Sequence, residues 1–575
     1  MLKQLLRLAV LALSASLAFA KYPKLASDLE RQDPTSDVDV IIQFKQAPTA
    51  RHHAKVLSRG GQLKAKLDVV KGGAYRIKRG ALDDLANDPD VAYISPDRPV
   101  HASLNYAVPA VGADIALQSG YDGSGVGVAI IDSGFSTFSD DLNAWSPSVS
   151  TNGAYGKPTS RIVYSKSFVS GGTADAYGHG THVAGILGGD GYDSMGESEG
   201  GVSYTQTFHG IAPAVKFINL RALDANGAGT DSSVIAAIDQ AIQVQKKYNI
   251  RVINLSLGRP IYESYLQDPL CQAVESAWKA GIVVVVAAGN DGRDNSFGND
   301  GYGTITAPGN DPYVITVGAM KTNGTPQRSD DTIASYSSKG PTMIDHFVKP
   351  DLVAPGNQVV SLNNVDAALW ANYSSDIAVS ASYYIPSTSG DSRNYARLNG
   401  TSMATPMVSG AVALLLQQNP KLTPDQVKAR LMKTAYKTFP ASSTATDPTT
   451  GITYTSYYDI LTVGAGYLDV WAALNDTSVA SALALSPSVT YNSTTGTVNL
   501  VTDSRSVWGT GVWGVRSVWG TTQFLSGTQS LWGTQSVWGT SGTSAFQSLW
   551  GTQSIWGNTT ADSVEATAIL VNGEN

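Results

Sequence analysis

Residues 399–416 read Asn-Gly-Thr-Ser-Met-Ala-Thr-Pro-Met-Val-Ser-Gly-Ala-Val-Ala-Leu-Leu-Leu. The second half is apolar on all sides, which is typical of a helix inside a large core. A proline is tolerated in the first turn of a helix, so Pro406 predicts a helix start near residues 401–403. Ser402 then lies at the positive end of the helix, where free backbone N–H groups favour a developing oxyanion. A serine before a helix is more often a simple cap, so this segment alone leaves both interpretations open.

Two other motifs carry candidate catalytic side chains. Residues 126–134 read Val-Gly-Val-Ala-Ile-Ile-Asp-Ser-Gly, an apolar run typical of a buried parallel strand, with Asp132 at its C-terminal end. Residues 177–185 read Tyr-Gly-His-Gly-Thr-His-Val-Ala-Gly and place His179 before a run of small residues that predicts a helix. The order along the chain is therefore Asp132, His179, Ser402, which differs from the orders found in chymotrypsin-like proteases and α/β-hydrolases.

With three motifs in this order, the chain resembles the subtilisin-like serine proteases (subtilases, peptidase family S8) over roughly residues 105–475. The resemblance implies a doubly wound, mostly parallel α/β sheet and a serine endopeptidase that acts on protein and peptide substrates. The alternation of apolar strands and amphipathic helices in the same region also predicts a parallel sheet with helices on both faces. Ligands of such sheets bind beyond the carboxyl ends of the strands.

The resemblance implies a role for each candidate catalytic residue. Ser402 is the nucleophile, His179 the general base, and Asp132 the group that orients the imidazole. An apolar strand that ends in Ala-Ala-Gly-Asn carries Asn290, whose side chain matches the oxyanion donor of the family, beside the backbone N–H of Ser402. The alternative is that Asn290 is only a turn residue, which is common for asparagine. His182 matches the second histidine of the family motif and is interpreted as structural, and its alternative role as the base is disfavoured by that match.

Two glycine-containing segments, residues 226–229 and 254–258, are candidate substrate-binding edges. Protease substrates usually bind in an extended conformation along an exposed edge, and glycine permits a close backbone approach. The segments match those that flank the substrate in subtilases, although each is a weak signal by itself. The predicted substrate-binding residues are Gly227, Gly229, Ser256, Leu257 and Gly258.

The N-terminus has the pattern of an export signal. Residues 1–20 contain Lys3 and Arg7, then an apolar run, then Ala-Phe-Ala, which predicts a cleaved signal peptide and a secreted, extracellular protein. This run is too short for a stable membrane anchor, and no later segment reaches transmembrane length. The formal net charge of −7 without a long basic run argues against nucleic acid as a partner.

Residues 21–104 form a separate predicted α+β domain, which resembles the ferredoxin-like inhibitory propeptide of subtilases. The predicted strands are residues 38–44, 74–77 and 91–94, and the predicted helices are residues 49–57 and 82–86. Residues 21–100 hold 14 Lys and Arg against 11 Asp and Glu, a net positive charge in an acidic chain. Opposite charges favour association, so we expect this domain to be an intramolecular inhibitor of a self-processed zymogen. The alternative is an unrelated domain that stays attached.

Residues 105–475 are the predicted catalytic domain. Its predicted strands are residues 126–131, 215–220, 252–255, 282–287 and 314–317, and one predicted helix is residues 233–242. Thr423-Pro424-Asp425-Gln426 has the pattern of a capping box with proline at the first helical position, so a second helix is predicted to follow Thr423.

Neither cysteine nor metal motifs add catalytic candidates. The single cysteine, Cys271, lies in an apolar, helix-like stretch and is interpreted as a small buried hydrophobe. The predicted chemistry needs no cofactor. A structural calcium ion is compatible with the resemblance, since Asp141 occupies a position where subtilases often have a ligand. The loop at residues 188–200 differs from the family pattern, however, so no metal ligand is assigned.

Residues 476–575 have a different composition and are predicted to be a low-complexity Trp-Gly repeat tail. They contain seven of the eleven tryptophans, in frames such as Thr-Gln-Ser-Val-Trp-Gly at residues 534–539. Short repeats of this kind either stack into a solenoid or stay without regular structure. Because every catalytic motif lies upstream, we expect residues 500–560 to be dispensable for peptide hydrolysis and a chain that ends near Thr477 to remain active.

Two other classes of protein compete with the endopeptidase interpretation. A non-catalytic surface adhesin or binding protein with the same fold would normally have lost a catalytic residue, whereas Asp132, His179, Asn290 and Ser402 are all present. A serine esterase or lipase would carry its nucleophile in Gly-x-Ser-x-Gly, whereas the frame here is Gly-Thr-Ser-Met-Ala.

Overall fold

The computed structural model describes residues 24–25, 29, 33–67, 70–96, 106–136, 139–144, 159–195, 204–296, 299–386, 388–447, 450–492, 497–508 and 561–574. The predicted signal peptide at residues 1–20 and most of the Trp-Gly repeats lie outside the described residues. The chain divides into two compact units, Met1–Ala102 and Ser103–Asn575.

Over residues 33–67 and 70–96, the first unit is a four-stranded antiparallel sheet with two α-helices. Its elements are β1 (Asp37–Phe44), α1 (Ala50–Leu57), β2 (Gln62–Leu67), β3 (Gly72–Lys78), α2 (Leu82–Asn87) and β4 (Val91–Pro96). The sheet order β2-β3-β1-β4 with a βαββαβ chain order is the ferredoxin-like arrangement. In β1, Val38, Val40, Ile42 and Phe44 alternate with more exposed residues and enter the core of this unit.

The second unit contains the remaining strands. They are β5 (Gly127–Asp132), β6 (Asn143–Ala144), β7 (Thr159–Ser160), β8 (Ile162–Ser167), β9 (Lys216–Arg221), β10 (Ile250–Leu255), β11 (Val283–Ala287), β12 (Ile315–Lys321), β13 (Thr332–Ile333), β14 (Leu352–Pro355), β15 (Val359–Leu362), β16 (Ala378–Ser380), β17 (Asp391–Leu398), β18 (Ser442–Thr446), β19 (Thr453–Tyr457), β20 (Ser488–Asn492) and β21 (Thr497–Val501). The main sheet has the order β13-β12-β11-β10-β5-β9-β8, with β14 paired to β12. All of its pairings are parallel except that of β12 with β13.

The α-helices of the second unit connect and cover these strands. They are α3 (Ala107–Ala110), α4 (Ala113–Gln118), α5 (His179–Gly188), α6 (Asp231–Tyr248), α7 (Pro269–Lys279), α8 (Ala368–Ile377), α9 (Thr401–Gln418), α10 (Pro424–Thr434), α11 (Val470–Asn475) and α12 (Ala561–Asn572). The capping box predicted before α10 is present, since the Thr423 hydroxyl accepts from the Gln426 N–H and the Gln426 side chain accepts from the Thr423 N–H. The mostly parallel, doubly wound sheet with helices confirms the predicted fold class.

The parallel sheet brings candidate residues from distant parts of the chain to one edge. All six residues of β5 are buried, because β5 lies between β9 and β10, and Asp132 is its last residue. Asn290 follows β11 by three residues. Since parallel strands end at the same edge of a sheet, both side chains lie on the side where ligands of this architecture bind.

The hydrophobic core of the second unit continues beyond residue 475, where the sequence predicts the start of a separate tail. Ala480, Ala484 and Val489 belong to this core, as does Trp508, whose Nε1 donates to the Leu485 carbonyl at 2.5 Å. The composition changes near residue 476, but apolar side chains beyond that point still fill the core. A chain that ends near Thr477 would lack these core side chains, and its activity stays a prediction. No helix among the described residues is long and apolar enough to cross a membrane.

Candidate active site

Asp132 and His179 form a buried pair at the carboxyl edge of the sheet. The Asp132 side chain is 1% exposed, and its Oδ1 accepts hydrogen bonds from the Ser133 N–H at 2.7 Å and from Nδ1 of His179 at 2.8 Å. His179 is the first residue of α5, after Gly178 in the left-handed conformation with φ +106°. The bond to Asp132 places the proton on Nδ1, which leaves Nε2 as the basic nitrogen.

The pKa of His179 is the result of two opposing effects. Burial lowers the pKa of the imidazole because it disfavours the charged form, while the charge of Asp132 and the hydrogen bond to it raise the pKa. The effects of Asp132 are stronger than the effect of burial, so the pKa of His179 lies above its ordinary value. A neighbouring carboxylate thus makes this imidazole a better proton acceptor.

Asp175 holds the loop that positions this pair, and it is not among the site residues predicted from the sequence. Its carboxylate accepts hydrogen bonds from the Ser133 hydroxyl at 2.8 Å, from the Gly178 N–H at 2.7 Å and from the Thr181 hydroxyl and N–H at 2.6 and 2.8 Å. It therefore connects the residue after Asp132 to the first turn of α5. Burial raises the pKa of Asp175, although its hydrogen bonds act in the opposite direction.

His182 faces a different part of the core from His179. It is fully buried, and its Nε2 lies 3.2 Å from the Ala396 carbonyl oxygen. Burial and the neighbouring His179 lower the pKa of His182 to about 3, so the ring stays neutral. A neutral ring bonded to a backbone carbonyl agrees with the structural interpretation of this residue.

Ser402 is the second residue of α9 and exchanges hydrogen bonds with Ser256. The Ser402 hydroxyl donates to the Ser256 carbonyl at 3.1 Å, and the Ser256 hydroxyl donates to the Ser402 carbonyl at 2.8 Å. Pro406 lies in the second turn of α9, not in the predicted first turn. It has no N–H to offer the carbonyl four residues earlier, and that carbonyl is the one that Ser256 satisfies.

Asn290 is bonded to the start of the same helix. Its Oδ1 accepts from the Thr401 N–H at 2.9 Å and from the Thr401 hydroxyl at 3.1 Å. The Thr401 hydroxyl also lies 3.2 Å from the Gly289 backbone, so the helix start and the loop after β11 are joined at several points. Because the amide oxygen is used here, the Nδ2 group is directed away from Thr401 and remains able to donate.

The predicted substrate-binding glycines occupy tight positions. A Cβ at Gly227 would lie 2.5 Å from the ring of Tyr177, and the Tyr177 ring is 6.5 Å from that of His179. At Gly258, a Cβ would meet the Thr306 hydroxyl at 2.5 Å, and at Gly229 it would meet the Ala222 carbonyl at 2.7 Å. Ser256 contacts Ser402 directly, and Leu257 lies between Ser256 and Gly258. The substrate-binding role of these five residues stays a prediction.

A calcium ion bound to Asp141 does not fit the described residues. The two oxygens of this buried carboxylate accept from the Asp193 N–H at 2.8 Å and from the Tyr395 hydroxyl at 2.9 Å. Burial raises the pKa of Asp141 to about 7, and the hydrogen bonds from Asp193 and Tyr395 lower it. Within the described ranges, no group of three or more His, Cys, Asp or Glu side chains could hold a metal ion. Cys271 is buried and burial raises its thiol pKa, so no catalytic role follows.

Comparison with known proteins shows the family of this chain. The sequence model of the subtilase family (Peptidase_S8) matches residues 123–452. The chain belongs to the subtilase family. It is 34% identical over 412 residues to the serine protease AprX of Bacillus subtilis (strain 168), which covers 68% of this chain and 82% of that protein. It is 32% identical over 402 residues to subtilisin E of the same organism, with 69% and 84% covered.

A third relative comes from another genus. This chain is 33% identical over 374 residues to the extracellular serine proteinase of Thermus sp. (strain Rt41A), which covers 63% of this chain and 70% of the relative. The family match and these relatives support serine endopeptidase activity for this subtilase. The predicted resemblance to the subtilisin-like serine proteases is confirmed.

Proposed function

We propose that this subtilase is a secreted serine endopeptidase in which Asp132, His179 and Ser402 act as a catalytic triad. The observation that carries the proposal is the 2.8 Å hydrogen bond between the buried Asp132 carboxylate and Nδ1 of His179, at the sheet edge where α5 and α9 pack together. This bond leaves Nε2 of His179 as the basic atom, as removal of a proton from a serine hydroxyl requires.

The first chemical step is attack of the Ser402 oxygen on the scissile carbonyl carbon. The hydroxyl has one proton, which it donates to the Ser256 carbonyl in the resting state. It must therefore rotate away from Ser256 to give that proton to Nε2 of His179. Asp132 stabilises the imidazolium, which then protonates the leaving amine so that the peptide bond breaks. Water attacks the acyl-enzyme in the second half of the reaction, with His179 again as the base.

Asn290 and the backbone N–H of Ser402 are the proposed donors to the oxyanion. The Nδ2 group of Asn290 is the free end of an amide whose oxygen is held by Thr401, so its direction is set before substrate binds. Donors that are already oriented need no reorganisation when the negative charge develops. In a subtilisin, loss of the equivalent donor lowers turnover by about 10²–10³-fold, a magnitude that we transfer by family membership.

The first unit is proposed to be an inhibitory propeptide, and the chain a zymogen that cleaves itself. Support comes from the ferredoxin-like order of this unit and from its net positive charge. The connecting residues 97–105 lie outside the described residues. Secretion is supported by the signal-peptide pattern of residues 1–20 and by the extracellular relative. The reaction requires no cofactor in this proposal, and a structural calcium ion away from Asp141 stays a prediction.

The proposal is tested by replacing the nucleophile. Ser402→Ala is expected to abolish casein and peptide cleavage and leave the fold intact, since no other group supplies the attacking oxygen. A fluorophosphonate probe should label Ser402 in the unmodified protein and leave Ser402→Ala unlabelled. Short-chain esters serve as a comparison, because a lipase or esterase would hydrolyse them in preference to casein. Labelling at another residue, or normal casein cleavage by Ser402→Ala, would contradict the assignment.

A further inference from the structure

A segment remote in sequence from every catalytic motif packs into the second unit, which we call the catalytic unit because it contains Asp132, His179 and Ser402. We call residues 561–574 the distal segment; it consists of α12, Gly573 and Glu574. Ile569 and Val571 are buried in the main hydrophobic core, and α12 contacts α8 and β17. The distal segment is therefore part of the folded catalytic unit, although the subtilase family model matches this chain only as far as residue 452.

The side chain of Glu574 is buried and surrounded by donors. Its Oε1 accepts from Nη2 of Arg293 at 3.0 Å, from the Ser335 N–H at 2.7 Å and from the Ser335 hydroxyl. Its Oε2 lies 3.4 Å from Nζ of Lys321. Asn357 holds the backbone of Glu574 from both sides, with hydrogen bonds of 2.8 and 2.9 Å. A buried carboxylate is tolerated only with such partners, so this site is specific for an anionic side chain.

The distal segment also bonds to the loop that leads into the nucleophile helix. The Asn399 N–H donates to the Leu570 carbonyl at 3.0 Å, and Nδ2 of Asn399 donates to the same oxygen at 3.1 Å. Oδ1 of Asn399 accepts from the Gln358 N–H at 2.6 Å, so both ends of this amide are used. Asn399 precedes Ser402 by three residues.

Gly573 allows this close approach. Its φ is +61°, and a Cβ at this position would lie 2.1 Å from Oδ1 of Asn399 and 2.8 Å from Oδ1 of Asn357. A side chain at residue 573 would therefore push the distal segment away from both asparagines. The glycine is needed for space as well as for its backbone conformation.

We propose that the distal segment is a positioning element for the catalytic residues, an inference that rests on the proposed role of Ser402. It holds two loops at once: Asn399 belongs to the loop before Ser402, and Arg293 follows Asn290 by three residues. Release of the segment would let the nucleophile and the oxyanion donor move relative to each other. A shift of about 1 Å at a reacting group can lower turnover by about 100-fold, even when substrate still binds.

The test uses the full-length chain with two substitutions in the distal segment. Gly573→Ala introduces the clash, and Glu574→Gln keeps the size of the side chain and removes its charge. At a temperature below the Tm of each variant, we expect kcat for a short peptide to fall by about 10- to 100-fold with KM changed by less than about twofold. The rate of fluorophosphonate labelling of Ser402 should fall in parallel. A general loss of folded protein would lower the labelled fraction rather than the rate per active site.

Two substitutions elsewhere serve as matched controls. Gly281→Ala introduces a methyl group at a glycine that also has a positive φ, +86°, but has no atom within 4 Å of the new Cβ. Asp503→Asn removes the charge from an exposed ion pair, Asp503 with Arg505 at 2.7 Å. Both should retain wild-type kcat and labelling rate. An equal loss of kcat in Gly281→Ala would overturn the proposal, because backbone strain alone would then explain the effect.

A milder variant keeps the proposal testable if the first two do not fold. Gln358→Ala removes only the hydrogen bond from Nε2 of Gln358 to the Asn572 carbonyl, 3.1 Å long and at the surface. It should lower kcat by about two- to tenfold. Unchanged kcat in this variant, or in folded Gly573→Ala, overturns the positioning role. If the wild-type chain is not labelled at Ser402, the proposed function fails instead, so the two failures are distinguishable.

Discussion

At the scale of single residues, the site depends on a buried charge beside a buried imidazole. Burial lowers the pKa of His179, and the contact with Asp132 more than reverses that effect. The base is therefore stronger than a histidine in water although it is nearly inaccessible to solvent. The activity of a general base requires its neutral form, so kcat/KM should rise with pH through this raised pKa.

Asp132→Asn should change both the height and the position of the pH profile. Without the carboxylate, the charge and hydrogen bond of Asp132 no longer raise the pKa of His179. Burial still lowers this pKa and only the smaller effect of the Asp175 charge raises it, so the acid limb of kcat/KM should move to lower pH. Turnover should fall by about 10⁴-fold, because the asparagine no longer holds the Nδ1–H tautomer. The measurement is kcat/KM for one peptide across the pH range, with Asp294→Asn, in an exposed turn, as the control. An acid limb that stays in place would show that Asp132 does not set this pKa.

The residues of the site differ in how far their sequence reveals them. Asp132, His179 and Ser402 stand in motifs with a distinctive order, and the structure brings the first two into hydrogen-bond contact. Asp175 was missed because an aspartate in a short loop has no periodicity or spacing of its own. Its function comes from five donors that only the folded chain assembles, and the same holds for Thr401 against Asn290.

At the scale of elements, α9 is the helix that joins the site to the core. All but three of its residues are buried, and it packs against α5 and against four strands of the main sheet, β10, β11, β12 and β14. Gly410 permits a close approach of Ile211 and of α5: a Cβ there would lie 2.5 Å from the Cβ of Ile211 and 3.2 Å from the Leu187 carbonyl. Packing, not helix propensity, therefore decides which residue fits at this position.

Gly410→Ala should destabilise the protein although alanine is the better helix former. The gain in helix propensity is about 1 kcal/mol. Forcing a methyl group into this contact costs about 1–3 kcal/mol, because Ile211 or the helix must shift. The free energy of unfolding in guanidinium chloride should fall, measured in the Ser402→Ala background so that self-digestion does not interfere. Equal or greater stability would mean that α9 can move away from Ile211 without loss.

Five buried strands of the main sheet were predicted to within a few residues, whereas the buried strand β14 and exposed strands such as β2 were missed. The run at residues 282–287 is rich in β-branched side chains, which favour a strand buried on both faces over a buried helix. In contrast, β2 reads Gln-Leu-Lys-Ala-Lys-Leu and is mostly exposed, so it resembles a polar loop. It becomes a strand because β3 offers a free edge, which is a tertiary effect that local sequence does not contain.

At the scale of the whole molecule, composition was a poor guide to where the catalytic unit ends. Residues 476–508 are poor in basic residues and contain the first tryptophan of the repeats, yet Trp508 is buried in the main core. The distal segment returns to the same core through Ile569 and Val571. The repeats at residues 509–560 are thus attached at both ends to the catalytic unit by covalent continuity. The prediction that residues 500–560 are dispensable for peptide hydrolysis stays a prediction.

Maturation is the last property that this organisation predicts. Cleavage within one chain presents the connecting segment near residues 101–106 to Ser402 at a high effective concentration, so it should be first order and independent of protein concentration. The Ser402→Ala chain should accumulate with residues 21–104 still attached, and N-terminal sequencing of the active form should begin between Ala102 and Ala107. The competing explanation is an exposed linker that any protease can cut. In a host without other proteases, normal processing of Ser402→Ala would refute self-cleavage. If Ser402→Ala is processed only when wild-type enzyme is added, at a rate proportional to the concentration of that enzyme, the cut is made between molecules.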